Sequence, residues 1–180
     1  MAKRLIFLLG GARSGKSHYA ETWARRQGGR VLFVATAEPT DADMRARIAD
    51  HRATRPAAWH TLDAPRDTAR QIAACGYAHD TLLLDCLTLV TSNILLALPE
   101  TATQNEANAA ALAEVERLLE LYAASNASWL VVSNEVGMGV VPPTRLGVLY
   151  RDMLGRANQR VAQAADEVLL LVAGIPWRLK

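Results

Sequence analysis

The chemistry in this chain starts at residues 10–17, which read GGARSGKS and fit the spacing GxxxxGK[ST]. Glycines at those positions let backbone N–H groups close around phosphate oxygens, and a following helix N-terminus adds positive potential. Lys16 is spaced to reach the β and γ phosphates of a nucleotide, and Ser17 to ligate Mg²⁺. Gly10, Gly11, Ala12, Arg13, Ser14, Gly15, Lys16 and Ser17 are therefore the candidate phosphate-binding residues. An accidental glycine-rich turn is the plainer alternative, but four fixed positions would match by chance in a chain of this length in about 1% of cases. The other half of such a site is an acid at the end of a buried strand. Leu82-Leu83-Leu84-Asp85 supplies it, and Asp85 would hold the Mg²⁺ directly or through water. Strand ends also carry Asp simply as polar termini; the phosphate loop favours the metal role.

Residues 36–63 form a second reactive stretch, with Thr36, Glu38, Asp41, Asp43, Arg45, Arg47, His51, Arg52, Arg55 and Asp63. A solvated helix face explains most of these charges. It explains His51 less well, because Met44, Ile48 and His51 share one helical stripe. A histidine there reads either as a core or interface residue or as part of a site. Arg52 and Arg55 beside it suggest an anion site, in which a neutral imidazole could attack phosphorus. His18 reads as helix surface, and His60 and His79 as loop or strand-edge residues.

These groups need elements to position them. Apolar, β-rich runs at Leu5–Leu9, Val31–Ala35, Leu82–Leu84 with flanks, Trp129–Val132 and Val168–Val172 are continuous rather than alternating, as in strands buried on both faces of a parallel sheet. Helical patterns fall between them at Lys16–Gln27, Asp41–Ala53, Arg66–Ala74, Thr103–Ala124 and Pro143–Ala165, the last opening on a proline suited to a first turn. Trp59–Leu62 and Trp177–Lys180 are weaker strand candidates. The alternation predicts an α/β fold with a mainly parallel central sheet flanked by helices, in a single nucleotide-binding domain over residues 1–180.

Composition narrows the function. The chain has 180 residues, is 51% hydrophobic and carries a net charge of +2, which suits a compact enzyme-sized core and argues against a nucleic-acid binder. Cys75 and Cys86 form neither a CxxC pair nor a zinc pattern. No run approaches the ~20 apolar residues of a membrane span, so a cytoplasmic setting is expected. Asp152-Met153-Leu154-Gly155 fits the DxxG of a GTPase switch, but it falls inside a predicted helix and no NKxD follows. A small-molecule kinase is the leading generic answer, with a non-enzymatic nucleotide switch as a further possibility.

The blocks GGARSGKS at 10–17, VATAEPTDADMRARIADHRATRPAAWHTLDAP at 34–65, LLLDCLTLVTSNIL at 82–95 and VVSNEVGMGVVPPTRLGVLYRDMLGRANQRVAQAADEVLLLVAGIP at 131–176 take the reading further. Together they resemble the bifunctional adenosylcobinamide kinase/adenosylcobinamide-phosphate guanylyltransferases of cobalamin biosynthesis, over more than half of the chain and towards both ends. The arrangement RI-x-x-H-R-x-x-RP-x-x-W and the SNEVG-x-G-x-VP block carry the specificity. The resemblance implies a RecA-like P-loop fold, typically a homotrimer. It implies two reactions at one nucleotide site. ATP or GTP phosphorylates the aminopropanol hydroxyl of adenosylcobinamide. GTP then donates GMP to that phosphate through a guanylylated histidine, giving adenosylcobinamide-GDP and pyrophosphate. The histidine in that motif position is His51, with Lys16 as its catalytic partner on the phosphates. Family nucleotide contacts match Thr36, Arg52, Arg55, Asp63 and Asp85. The competing reading is a single-activity P-loop kinase with a structural His51. Three positions depart from the family pattern. Asp63 stands where Glu is common, and Val90 replaces a frequent Trp. Val148 occupies a place often held by Arg, with Arg145 and Arg151 nearby as substitute cations.

Overall fold

The structure is a computed structural model that describes residues 3–39, 41–53 and 55–180, without the side chains of residues 43, 47 and 51. Among the described residues seven strands form one sheet. They are β1 (Leu5–Gly10), β2 (Val31–Ala35), β3 (His60–Asp63), β4 (Thr81–Asp85), β5 (Ser128–Val132), β6 (Glu167–Val172) and β7 (Ile175–Arg178). Their order is β3-β2-β4-β5-β1-β6-β7, with every pairing parallel except the β6–β7 hairpin. The expected α/β architecture with a mainly parallel sheet is what the structure has.

Strand alternation divides the core in two. Leu5, Phe7, Leu82, Leu84, Trp129 and Val131 face one side, and Ile6, Leu8, Leu83, Leu130 and Val132 the other. Because both faces are covered, the strands read as unbroken apolar runs. The second side is covered by α1 (Lys16–Gln27), which packs Ala20 and Ala24 against the sheet. On the first side lie α3 (Thr68–Ala74), α4 (Leu87–Ala97), α5 (Gln104–Ala124) and α6 (Arg145–Ala164), while α2 (Ala42–Ala53) follows β2.

Three helix starts, those of α2, α5 and α6, follow from local chemistry. Thr103 closes a capping box with Glu106, in which the Thr103 N–H donates to Glu106 Oε2 at 2.7 Å and the Glu106 N–H to Thr103 Oγ1 at 3.3 Å. Asp41 Oδ1 accepts the Met44 N–H at 2.7 Å. At α6 the expected start on Pro143 is corrected: Thr144 is the N-cap, accepting the Gly147 N–H, so the proline lies outside the helix. The weaker candidates at 59–62 and 177–180 are the edge strands β3 and β7, each shifted by one or two residues.

Helix α4 has no counterpart among the predicted elements. Its sequence LTLVTSNILLA buries Leu87, Thr88, Val90, Thr91, Asn93 and Leu95, so little of a polar face breaks the apolar run begun by β4. Val90, at 2% exposure, is core packing.

Candidate nucleotide site

All the parallel strands point their C-terminal ends towards one rim of the sheet, where open α/β folds bind ligands. At that rim β1 ends on Gly10, and the chain loops through residues 11–15 into α1. Gly10 has φ +152°, and a Cβ there would sit 2.5 Å from the Leu171 carbonyl oxygen and 2.6 Å from Ser14 Oγ. Gly15, at φ +96°, is the left-handed N-cap of α1. Both positions demand glycine. The turn between β6 and β7 braces the loop, with the Gly174 N–H donating to the Ser14 carbonyl at 2.9 Å.

Lys16 is buried inside this loop. Its ammonium donates to the carbonyls of Gly10 and Gly11 at 3.0 and 2.6 Å and approaches Ser14 Oγ at 3.4 Å. Burial pulls its pKa below the ordinary lysine value, while Cys86 and the Asp85 carboxylate act in the opposite sense. Ala12 and Arg13 stand exposed on the rim, and Ser17 opens into the adjoining cleft.

That cleft has a volume of about 170 Å³, smaller than the about 300–1,000 Å³ usual for small-molecule sites. Ser17, Asp85, Arg55, Asp63 and Asn134 give it polar walls, and Met44, Ile48 and Leu89 apolar ones. Sheet register explains the convergence: Ala35 pairs with both Asp63 and Asp85, so the ends of β2, β3 and β4 are level.

Arg55 stacks its guanidinium 3.6 Å from the centre of the Phe33 ring. Its Nε and Nη1 are buried with no hydrogen-bond partner among the described residues. Burial lowers its pKa, opposed by the charges of Asp85 and Glu21. A cation held this way is suited to an incoming anion. Arg52 is paired with the Asp63 carboxylate, and both are largely exposed. Of the residues expected from the sequence, Ser17, Arg55, Asp63 and Asp85 line one cleft, with Lys16 in the loop beside it and Arg52 on its edge through Asp63.

Thr36 is placed differently. It is fully buried, its hydroxyl accepts the Cys86 N–H at 2.7 Å and donates to the Cys86 carbonyl at 2.8 Å. Its hydroxyl therefore fixes the chain just beyond Asp85 and is not on the cleft wall. The neighbouring Cys86 thiol is pushed up to about 11, first by burial and then by the Asp85 charge, and stays neutral. His51 lies in α2, which lines the cleft through Met44 and Ile48; its side chain is outside the described residues. Of the substitute cations, Arg145 donates to the carbonyls of Glu100 and Ala102, and Arg151 pairs with Asp152 at 2.8 Å. Arg145 is thus committed to holding the turn before α5.

Two cleft-building residues escaped the sequence reading. Asn93 donates to the carbonyls of Thr36 at 3.0 Å and Pro65 at 2.8 Å, tying α4 to the ends of β2 and β3. Asn134 lines the cleft directly. Its signal was present in the SNEVG block, but no spacing rule singles out one amide within it.

Comparison with known proteins agrees with this geometry. The family model described as cobinamide kinase / cobinamide phosphate guanyltransferase matches residues 6–179. The chain is 40% identical over 181 residues to the bifunctional adenosylcobalamin biosynthesis protein CobU of Salmonella typhimurium, covering 98% of this chain and 99% of that one. It is 41% identical to the protein CobP of the same description from Pseudomonas aeruginosa, over 96% and 95% of the two chains. The CobU protein of Escherichia coli is 37% identical over 98% and 99%. With a phosphate loop, an acid-tipped β4 and an arginine-bearing cleft on one rim, and with full-length similarity to these proteins, the chain belongs to the cobinamide kinase / cobinamide phosphate guanyltransferase family.

Proposed function

We propose that this protein phosphorylates adenosylcobinamide with ATP or GTP and then transfers GMP from GTP to the resulting phosphate. The observation that carries the reading is the convergence on one cleft of the phosphate loop through Ser17, Asp85, helix α2 and Arg55, two of whose nitrogens have no hydrogen-bond partner among the described residues. In the first reaction the aminopropanol hydroxyl oxygen bonds to the γ phosphorus. The bond from that phosphorus to the bridging oxygen breaks, the nucleoside diphosphate leaves, and the hydroxyl proton passes to solvent. Lys16 exchanges its loop carbonyls for β and γ oxygens and stabilises the charge that develops there. In the second reaction the His51 imidazole attacks the α phosphorus of GTP and pyrophosphate leaves. An oxygen of adenosylcobinamide phosphate then attacks the same phosphorus and releases the imidazole, giving adenosylcobinamide-GDP. Arg55 and Arg52 offset negative charge on the phosphates, Arg52 by leaving Asp63.

Ser17 and Asp85 offer hard oxygens on one wall of the cleft, a donor set that fits Mg²⁺ completed by phosphate oxygens and water. When bound, the ion would supply charge neutralisation at the β and γ phosphates. The chain acts as one unit, residues 1–180, since a single sheet takes strands from end to end of it. No helix among the described residues is long and apolar enough to cross a membrane, and both cysteines are free, which suits a reducing, cytoplasmic setting. Assembly is proposed as a homotrimer.

The test is separation of the two activities. His51→Ala should still convert adenosylcobinamide to its phosphate, within about tenfold of the parent rate, and form no adenosylcobinamide-GDP. Guanylyl transfer by the folded variant would make His51 structural and place the nucleophile on another residue, and a parent protein that forms the phosphate but no adenosylcobinamide-GDP would be a single-activity kinase.

A further inference from the structure

The segment that follows β5 is held more tightly than a loop needs to be. Ser133 and Asn134 lie just past the strand, where its pairing with β1 continues: the Ser133 N–H donates to the Leu8 carbonyl at 2.8 Å, and the Glu135 N–H to the carbonyl of Gly10 at 3.1 Å. Asn134 is thus bracketed by bonds to the first glycine of the phosphate loop and the strand before it. Its own backbone is pinned from the other side of the sheet. The Asn134 N–H donates to Thr88 Oγ1 at 2.7 Å, and its carbonyl accepts from Asn158 Nδ2 at 3.0 Å. Ser133 Oγ donates to Asn158 Oδ1 at 2.7 Å and lies 3.4 Å from Thr88 Oγ1. Thr88, Ser133 and Asn158 are all buried. Three helix and strand elements therefore spend a closed polar network on fixing one residue.

The side chain so fixed is left unused. Among the described residues nothing hydrogen-bonds the Asn134 carboxamide, which faces the cleft together with Ser17 and Asp85. Alternation requires this orientation. Val131 and Ser133 face α4 and α6, whereas Val132 faces the α1 side, so Asn134 faces the α1 side too. Since β5 lies between β4 and β1, the amide falls between Asp85 and the phosphate loop. A rigid backbone carrying a free polar tip is how a preorganised contact is built.

We propose that the Asn134 carboxamide is a catalytic residue that donates a hydrogen bond to the γ-phosphoryl group of the bound nucleoside triphosphate. The proposal rests on the reading of this cleft as a triphosphate site. The terminal phosphate is assigned because Lys16 and the Ser17–Asp85 pair serve the β and γ positions, and the amide stands between them. Arg55 and α2 lie on the opposite flank, beside β2 and β3. A neutral amide can donate to a phosphate oxygen next to Asp85 without adding charge of either sign. Thr88, Ser133 and Asn158 act through it as positioning residues.

This contact belongs to the phosphate that moves in the kinase step but only leaves with pyrophosphate in guanylylation. The two reactions should therefore respond differently to its loss. The experiment measures affinity of the full chain for a β,γ-imido nucleoside triphosphate and for the diphosphate, with Mg²⁺, in the parent protein, Asn134→Ala and the isosteric Asn134→Asp. Thermal melts confirm that each variant is folded. Both variants should lose about tenfold of the preference for triphosphate over diphosphate. Kinase kcat at saturating nucleotide should fall by about 30-fold or more in Asn134→Ala, while covalent guanylylation at saturating GTP stays within about threefold. A triphosphate preference within about twofold of the parent in either folded variant overturns the proposal. A parent protein that fails to phosphorylate adenosylcobinamide overturns the corrinoid reading alone, and the affinity ratio still decides the role of Asn134.

Discussion

Arg55 is the residue at which stability and function pull hardest against each other. Two of its N–H-bearing nitrogens are buried without a hydrogen-bond partner among the described residues, and its guanidinium lies over the face of Phe33. An unsatisfied buried donor costs about 1–3 kcal/mol, so a site that keeps one is arranged for a ligand that satisfies it. Arg55→Met retains much of the stem and removes the orphaned donors. Its melting temperature should hold or rise, and its GTP affinity should fall by about tenfold or more, read by calorimetric titration. A variant that binds GTP like the parent would make Arg55 a packing residue. At this scale the sequence was informative where the pattern is local: the eight residues 10–17 are neighbours in the chain, and they join β1 to α1 as the strand–loop–helix reading expects. It was uninformative where a side chain's duty depends on a distant partner. The hydroxyl of Thr36 is consumed by Cys86, fifty positions away, and Arg145 by the carbonyls of Glu100 and Ala102. No pattern along the chain announces either.

Among the elements, α4 matters most and was hidden best. It carries Thr88 to the Asn134 network and Asn93 to the ends of β2 and β3, so one buried helix sets both flanks of the cleft. The strands were legible because burial on both faces leaves unbroken apolar runs, and α1, α5 and α6 because each keeps a polar face or a cap. Burial that made β4 visible erased the boundary with α4. Asn93 gives a direct test of the helix's role. Asn93→Ala leaves two carbonyls near the Thr36–Pro65 junction without their donor, at a cost of about 2 kcal/mol. In a domain of this size that lowers the melting temperature by about 4–8 °C, measurable by circular dichroism. An unchanged melt would mean that water replaces the amide and that α4 does not need this tie.

For the whole molecule, the apolar side chains left in solvent bear on assembly. Met138, Val140, Val141 and Leu146 stand exposed beyond the SNEVG block, and Val172, Ile175, Trp177 and Leu179 along the β6–β7 edge. Helix α5 spends its inner face on α3, α4 and α6 within the chain. Exposed apolar patches of this kind mark contact surfaces. Sedimentation at micromolar concentration should give a trimer, and a stable monomer would remove that assembly. The central claim is that one cleft performs two reactions, with a covalent intermediate on α2 separating them. It is tested most directly by incubating the parent protein with GTP labelled at the α phosphorus, then denaturing and mapping the label by peptide mass spectrometry. The account predicts label on His51, lost in acid, retained in base and discharged by adenosylcobinamide phosphate. Label on a lysine, or label that persists in folded His51→Ala, would contradict it.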